Sequence, residues 1–428
     1  MNKKTPGHPE PERTRSMNKC IGNADSNQEN NEVKLALEEV LRVGARKMLE
    51  AMINNEVAEF IDNHRNIVDD QGHRIVVRNG YMPERELITG IGRIKVCQPR
   101  VRNRQPGYKF TSRILPPFMR RVPSVDALIP CLYLKGISTG DFSEALESIL
   151  GAQAAGLSAT NIVRLKETWK KEYDEWRQRD LSGKHYVYIW ADGIHFNVRL
   201  DDERSCMLVI IGATPDGHKE LLAVHEGFRE SKLSWLEVLR DLKQRGLKQP
   251  PALAVGDGAL GFWAAAEEEF PKMRRQRCWV HKTANILDKM PKSMQGNAKQ
   301  SIYDMYMAGT KNDALKAFRH FLDIYKAKFP KACDCLEKDQ DDLFTFYDFP
   351  AEHWVHIRTT NPIESTFATV RLRTTRTKGC GSRIATLTMV FKLALEAEKH
   401  WRRLNKHEFI PMIMQGVKFV DGVLAQAA

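Results

Sequence analysis

Two short apolar runs, each leading into an aspartate beside glycine, constrain this chain more than anything else in it. Tyr186–Ala191 (YVYIWA) runs into Asp192-Gly193, and Ala252–Val255 (ALAV) runs into Gly256-Asp257-Gly258. Apolar stretches this short, closed by turn residues, read as buried strands. A carboxylate at the exit of a buried strand is held rigidly and still reaches solvent. Between the two runs, Cys206–Ala213 and His218–His225 flank the turn Pro215-Asp216-Gly217 and read as two more strands of an antiparallel meander. Ser231–Gly246 reads as an amphipathic helix with Leu233, Leu236, Leu239 and Leu242 at three-residue spacing, and Trp235 and Val238 beside them. A helix over Phe262–Phe270 and a strand-like Arg277–Val280 follow the second run.

The resulting order, β-β-β-α-β-α-β, is that of an RNase H-like α/β core, a mixed five-stranded sheet with helices. It predicts a first part of the core over 181–281. Residues 282–350 read as helix after helix, punctuated by Pro291, Pro330 and Pro350, and residues 351–405 hold a helix after Thr360-Asn361-Pro362 and a last long helix at about Ile384–Leu404. Residues 406–428 read as a C-terminal tail. Upstream, residues 1–32 are polar and read as a disordered tail. Residues 33–121 combine a helix to about Asn63 with β-like runs at Arg74–Arg78, Glu86–Thr89 and Gly92–Val96, a basic ribbon suited to DNA. Residues 122–180 read as three helices of helix-turn-helix type, with Pro130 disturbing the first, next to that basic stretch.

Charge narrows the partner. The chain holds 66 Lys+Arg against 54 Asp+Glu, a net +12, which points to an anionic partner. Residues 93–121 hold nine Lys/Arg and no acid, and His353–Ile410 hold eleven against four acids. These two stretches exceed the whole net charge, so the remainder is slightly acidic. No run of eighteen apolar residues predicts a membrane span, and the polar N-terminus predicts no secretory signal. Eight irregularly spaced Cys read as reduced thiols of a cytoplasmic protein.

Asp192 and Asp257, on neighbouring strands, would repel each other unless a cation sits between them. Mg²⁺, or Mn²⁺ in its place, suits such oxygen ligands, and a third carboxylate from a helix would complete a site for two ions about 4 Å apart. Glu364, in the first turn of its helix, supplies it; Arg371, Arg373, Arg376 and Lys378 follow and would hold a DNA backbone beside the metals. Asn361 would cap the helix and orient Glu364. Singly, each acid also reads as a turn residue or a helix-dipole charge; the combination after two apolar strands outweighs that.

The chain resembles the Mutator-type DDE transposases of bacterial insertion sequences. The resemblance rests on Ala191-Asp192-Gly193, Gly256-Asp257-Gly258, Cys278-Trp279-Val280-His281 and Thr360-Asn361-Pro362-Ile363-Glu364-Ser365. Pro99-Arg100-Val101-Arg102 and Leu134-Lys135-Gly136-Ile137-Ser138-Thr139 upstream extend it over roughly residues 35–405. It implies an RNase H-like core with an all-helical insertion (282–350) between Asp257 and Glu364 and core completion over 351–405. It implies metal-dependent cleavage at insertion-sequence ends and strand transfer into target DNA, with Asp192, Asp257 and Glu364 as the metal-binding triad. It also implies terminal inverted repeats and target DNA as partners, a homodimer or larger assembly on DNA, and a place in the bacterial nucleoid. Arg100, Arg102 and Arg104 fall in the acid-free stretch and would bind the ends. An RNase H-like nuclease or resolvase without strand transfer, and a non-catalytic DNA-binding protein, are the competing classes.

Three patterns are weaker than they look. Gly256-Asp257-Gly258-Ala259-Leu260-Gly261 matches a dinucleotide fingerprint, but its Asp would repel a pyrophosphate and no acid ends the next strand. Cys278 and His281 make half a zinc site, but the other candidates, Cys333-x-Cys335 and His353-x-x-His356, lie far along the chain; the resemblance implies instead that the pair is a family motif near the active site, supporting the fold or touching the DNA end. Trp190, Trp263, Trp279 and Trp354 are expected in the core.

Overall fold

A computed structural model describes residues 24–103, 109–135, 137, 144–145, 147–148, 159–196, 205–227, 229–376 and 382–425. The chain divides into two compact units, Met1–Ile129 with Ser143–Gly156, and Pro130–Phe142 with Leu157–Ala428.

The first unit is built on α1 (Ala24–Asn63), which begins ahead of the expected start at Glu32. Strands β1 (Val76–Tyr81), β2 (Arg85–Thr89), β3 (Gly92–Val96) and β4 (Pro99–Asn103) follow. β2 and β3 form a hairpin, and β1 pairs antiparallel with β4. Alternation turns Leu87, Ile94 and Val96 inward onto Ile53 and Leu115 and leaves Lys95 exposed. Helix α2 (Pro123–Leu134) continues through Pro130. The second of the three helices expected over 122–180 falls almost wholly outside the described residues.

The third of those helices, α3 (Ala159–Arg177), belongs to the second unit. Its Tyr173 is buried and donates a hydrogen bond to Val224 O at 2.8 Å. Then come β5 (Tyr188–Phe196), β6 (Ser205–Ala213), β7 (Lys219–Gly227), α4 (Lys232–Gln244), β8 (Leu253–Gly256), α5 (Leu260–Glu269) and β9 (Arg274–Arg277). They build a five-stranded sheet in the order β7-β6-β5-β8-β9. β5, β6 and β7 are antiparallel; β8 and β9 run parallel to β5. Side chains alternate across it. Tyr188, Trp190 and Ile194 enter one core, and Ile189 and Ala191 enter the other, with α4 and α5. Leu233 is 72% exposed, because a strict three-residue step drifts around a helix of 3.6 residues per turn; Trp235, Leu236, Val238, Leu239 and Leu242 form the buried face.

After β9 the described secondary structure is helical until the C-terminus, with α6 (Trp279–Leu287), α7 (Lys292–Met307), α8 (Lys311–Tyr325), α9 (Pro330–Glu337), α10 (Asn361–Arg376) and α11 (Arg383–Glu398) as its longer elements. Strand β9 covers Arg274–Arg277, not Arg277–Val280. Cys278 N donates to Gly256 O at 2.8 Å, and the chain turns into α6 at Trp279. Residues 406–425 do not form a tail. Ile410 and Phe419 are buried, and Gly422 N donates to Tyr347 O, because these apolar side chains close the end of the larger core. No helix among the described residues is long and apolar enough to cross a membrane.

Candidate functional site

Strand β5 does not end before Asp192. Its antiparallel pairing with β6 continues to Phe196↔Ser205, while its parallel pairing with β8 stops at Ala191↔Gly256. Asp192 therefore sits where β8 peels away, and Asp257 is the next residue of the departing strand. The period of two aims Asp192 to the same side as Trp190 and Ile194, the face that α10 packs against.

Asp192 is 5% exposed and accepts a hydrogen bond from Gly193 N at 2.9 Å. Burial, with repulsion from Asp257 and Glu230, lifts its carboxyl to about 7 against an opposing pull from His281. Asp257 Oδ1 accepts from Ala259 N at 2.8 Å, and its carbonyl accepts from Trp263 Nε1 at 2.8 Å, so the loop is pinned from both sides. Glu364 lies in the first turn of α10. Its Oε1 accepts from Thr360 Oγ1 at 2.9 Å and lies 3.9 Å from His281 Nδ1. His281 thus links Glu364 to the electrostatic neighbourhood of Asp192 and Glu230.

Thr360, fully buried, is the residue that holds Glu364. Its backbone N–H also donates to Cys278 Sγ at 3.3 Å, and its carbonyl accepts from Ile363 N and Glu364 N. Asn361, one residue later, is exposed at the start of the helix. Cys278, His281 and Glu364 bring their ligand-type atoms within 4.8 Å of one another. Glu364 thus stands beside the pair where Cys333, Cys335, His353 and His356 were the distant candidates. His353 instead hydrogen-bonds Tyr188 Oη at 2.8 Å, and His356 Nε2 accepts from Asn405 N. Cys333 and Cys335 are free thiols. Burial raises the Cys278 thiol, which keeps it protonated and uncharged.

Glu230 is the acid that sequence reasoning missed. It lies immediately before Ser231, the N-cap of α4, and no strand pattern marks it. Burial and Asp257 raise its carboxyl to about 7. It lies 3.8 Å from His195 Nε2, so His195 borders this group of acids. A Cβ at position 193 would fall 1.8 Å from Glu230 Oε1. Glycine after Asp192 is therefore what lets this carboxylate in, and that glycine was its only sequence signal.

The basic residues divide. Arg100 and Arg102 are exposed on β4 in the first unit. Arg371 is exposed on α10, and Arg373 and Arg376 belong to the same helix. Arg104 and Lys378 lie outside the described residues. The four tryptophans pack in the core or against it, and each indole N–H meets a backbone carbonyl: Trp190 on His356, Trp263 on Asp257, Trp279 on Leu343 and Trp354 on Phe349. β8, α5 and β9 do form a parallel unit of the dinucleotide-binding kind. Even so, β9 ends on Arg277, paired with Asp339, and no acid stands there to take a ribose.

The sequence profile described as Transposase, Mutator family matches residues 17–403. The chain is 50% identical over 299 residues to the transposase for insertion sequence element IS6120 of Mycolicibacterium smegmatis, covering 70% of this chain and 92% of that one. It is 51% identical over 289 residues to the transposase for insertion sequence element IST2 of Acidithiobacillus ferrooxidans, covering 66% and 95%. A chain in the structure of the simian T-cell lymphotropic virus intasome in complex with PP2A regulatory subunit B56 gamma aligns over 49% of this chain and 63% of its own length at 12% identity. Its TM-score of 0.17 carries no weight for the architecture.

Proposed function

Because the chain belongs to the Mutator family of transposases, we propose that Asp192, Asp257 and Glu364 are the carboxylate triad of a centre that cleaves insertion-sequence ends and joins them to target DNA. The observations that support this reading are that Asp192 and Asp257 leave neighbouring parallel strands and repel each other, and that His281, which acts on Asp192, lies 3.9 Å from Glu364. The sheet order, with three antiparallel strands followed by two parallel ones, and the helices between β9 and α10 support an RNase H-like core carrying a helical insertion.

The donor set fits hard divalent ions. It is made of carboxylate oxygens, and Asp192, displaced upward first by burial and then by the nearby acids Asp257 and Glu230, is a group that a divalent cation would return to its charged form. Two Mg²⁺ ions, or Mn²⁺, held by Asp192, Asp257 and Glu364 would supply charge neutralisation at the attacking and leaving oxygens of phosphoryl transfer. The protein's own part is positional. The interior of β5 fixes Asp192, the end of β8 fixes Asp257, and the Thr360 hydroxyl fixes the Glu364 carboxylate. The nucleophile is water or a DNA 3′-hydroxyl, so no Ser, Cys or Tyr is required. Arg371, Arg373, Arg376 and Lys378 hold the backbone beside the acids; Arg100, Arg102 and Arg104 of the 33–121 region hold the terminal repeats. Joining two ends requires a dimer or larger assembly on DNA.

Purified protein, linear DNA carrying the element's ends and Mg²⁺ test this reading. Wild type should nick and join, and Asp257→Asn should bind the same DNA while doing neither. Nicking without joining would favour a nuclease or resolvase. Binding alone, indifferent to Asp257→Asn, would favour a non-catalytic DNA-binding protein.

A further inference from the structure

In the first unit, Pro116-Pro117-Phe118-Met119 forms a turn whose third residue breaks the rule for its conformation. Met119 N donates to Pro116 O at 3.3 Å, which puts Pro117 second and Phe118 third. Phe118 has φ of 67°. Proline followed by a residue of positive φ is the type II pattern, in which the third position ordinarily takes glycine or asparagine. A bulky aromatic side chain resists that backbone region. The ring also gains nothing from packing, since Phe118 is 92% exposed. A strained backbone and an unburied ring together signal a side chain kept for something outside the fold.

The turn is braced. Arg85 Nη2 donates to Pro116 O at 3.1 Å and to Leu115 O at 3.4 Å. On the other side Ile88 N donates to Arg120 O at 2.9 Å, and Val122 N donates to Ile88 O at 3.0 Å. The ring is thus presented from a fixed support. It borders an open groove of about 790 Å³ whose lining includes Arg85, Arg100, Arg102, Lys109 and Arg120, with no acidic residue among the lining side chains.

We propose that Phe118 is an apolar wedge that enters a base step of duplex DNA whose phosphates lie along this groove. Cations spaced around one exposed aromatic ring suit a polyanion that also offers stacked apolar surfaces. Proteins that kink DNA insert Phe, Leu or Pro between base pairs in this way. The inference rests on the reading of the protein as one that binds DNA ends and adds the residue that would deform them.

The test uses the full-length protein and overlapping duplexes tiled across the DNA flanking its coding segment, each with 2-aminopurine at one position. Wild type should bind one duplex and raise 2-aminopurine fluorescence severalfold at one step. Phe118→Gly suits the turn better than phenylalanine, so its melting temperature should be unchanged or higher, which excludes misfolding as the cause of any loss. It should lose the fluorescence rise and bind about tenfold more weakly, while the dependence of binding on salt stays the same. Phe118→Trp should keep the rise. A Phe118→Gly protein that binds and unstacks the base as wild type does would overturn the wedge and leave end binding intact. Failure of wild type to bind any duplex would overturn both, as would binding only to phosphatidylserine vesicles.

Discussion

The two units handle charge in opposite ways. In the sheet unit the charges proposed for the chemistry are sunk or tethered. Asp192 is 5% exposed, Asp257 is clamped by Ala259 N, and Glu364 is held by a hydroxyl that is itself fully buried. In the ribbon unit the charges stand outside. Arg100, Arg102, Lys109 and Arg120 are exposed beside a ring that is also exposed. Chemistry on a phosphodiester needs groups fixed to fractions of an ångström, and burial against strand ends provides that. Following a DNA backbone needs only positive charge near phosphates, which flexible exposed side chains provide at little cost in folding energy.

The largest effect that would sharpen this contrast concerns Asp192. Its folded-state pKa of about 7 stands above the ordinary 3.8, so the folded protein favours the protonated form. In metal-free protein the penalty is absent below pH 4, grows between pH 4 and 7, and is complete above 7. Asp192→Asn should therefore be more stable than wild type at pH 8 in EDTA, by about 2–4 kcal/mol, and equal to it near pH 4. Thermal melts at both pH values read this directly. An equal gap at both would mean that the carboxylate is not the strained charge described above.

The next effect is smaller. Thr360→Val keeps the shape but removes the hydroxyl on Glu364. Strand joining should fall about tenfold with little change in melting temperature, in keeping with the loss of one hydrogen bond to a charged group, and Thr360→Ser should restore it. Unchanged joining in Thr360→Val would show that Glu364 needs no such tether.

The smallest effect belongs to the ribbon. Arg100→Ala should weaken DNA binding only a few-fold, lower the slope of log affinity against log salt by about one, and leave joining at saturating DNA untouched. A large loss of joining at saturation would break the contrast, because it would give an outer arginine a role at the chemical centre.

Much of the sheet unit was legible because its strands are short, wholly apolar and closed by Asp-Gly. Those patterns are local, and each core strand except β9 falls close to where its pattern predicts. The misses share one cause, since they depend on residues distant in sequence. Asp192 lies inside β5 because β6 keeps pairing beyond the apolar run. The strand expected at Arg277–Val280 ends at Arg277 because Cys278 turns back onto Gly256. The supposed tail after residue 406 folds because Phe419 finds a core built by residues far upstream. Glu230 carries no motif of its own, and Thr360 opens the Thr360–Ser365 motif, where capping chemistry points to Asn361 instead; each matters through the carboxylate it meets.

By itself the sequence determined the chain order of the core strands and helices, the family, and the sign and placement of charge, because apolar period, turn chemistry and composition are local properties; it also marked Asp192, Asp257 and Glu364 as the acids proposed for the triad. Only the tertiary structure decided that Glu230 stands beside Asp192 and Asp257, that Thr360 rather than Asn361 tethers Glu364, and that Phe118 occupies a backbone conformation suited to glycine. Those facts depend on which atoms meet across a sheet or a turn, and packing, not pattern, sets such meetings.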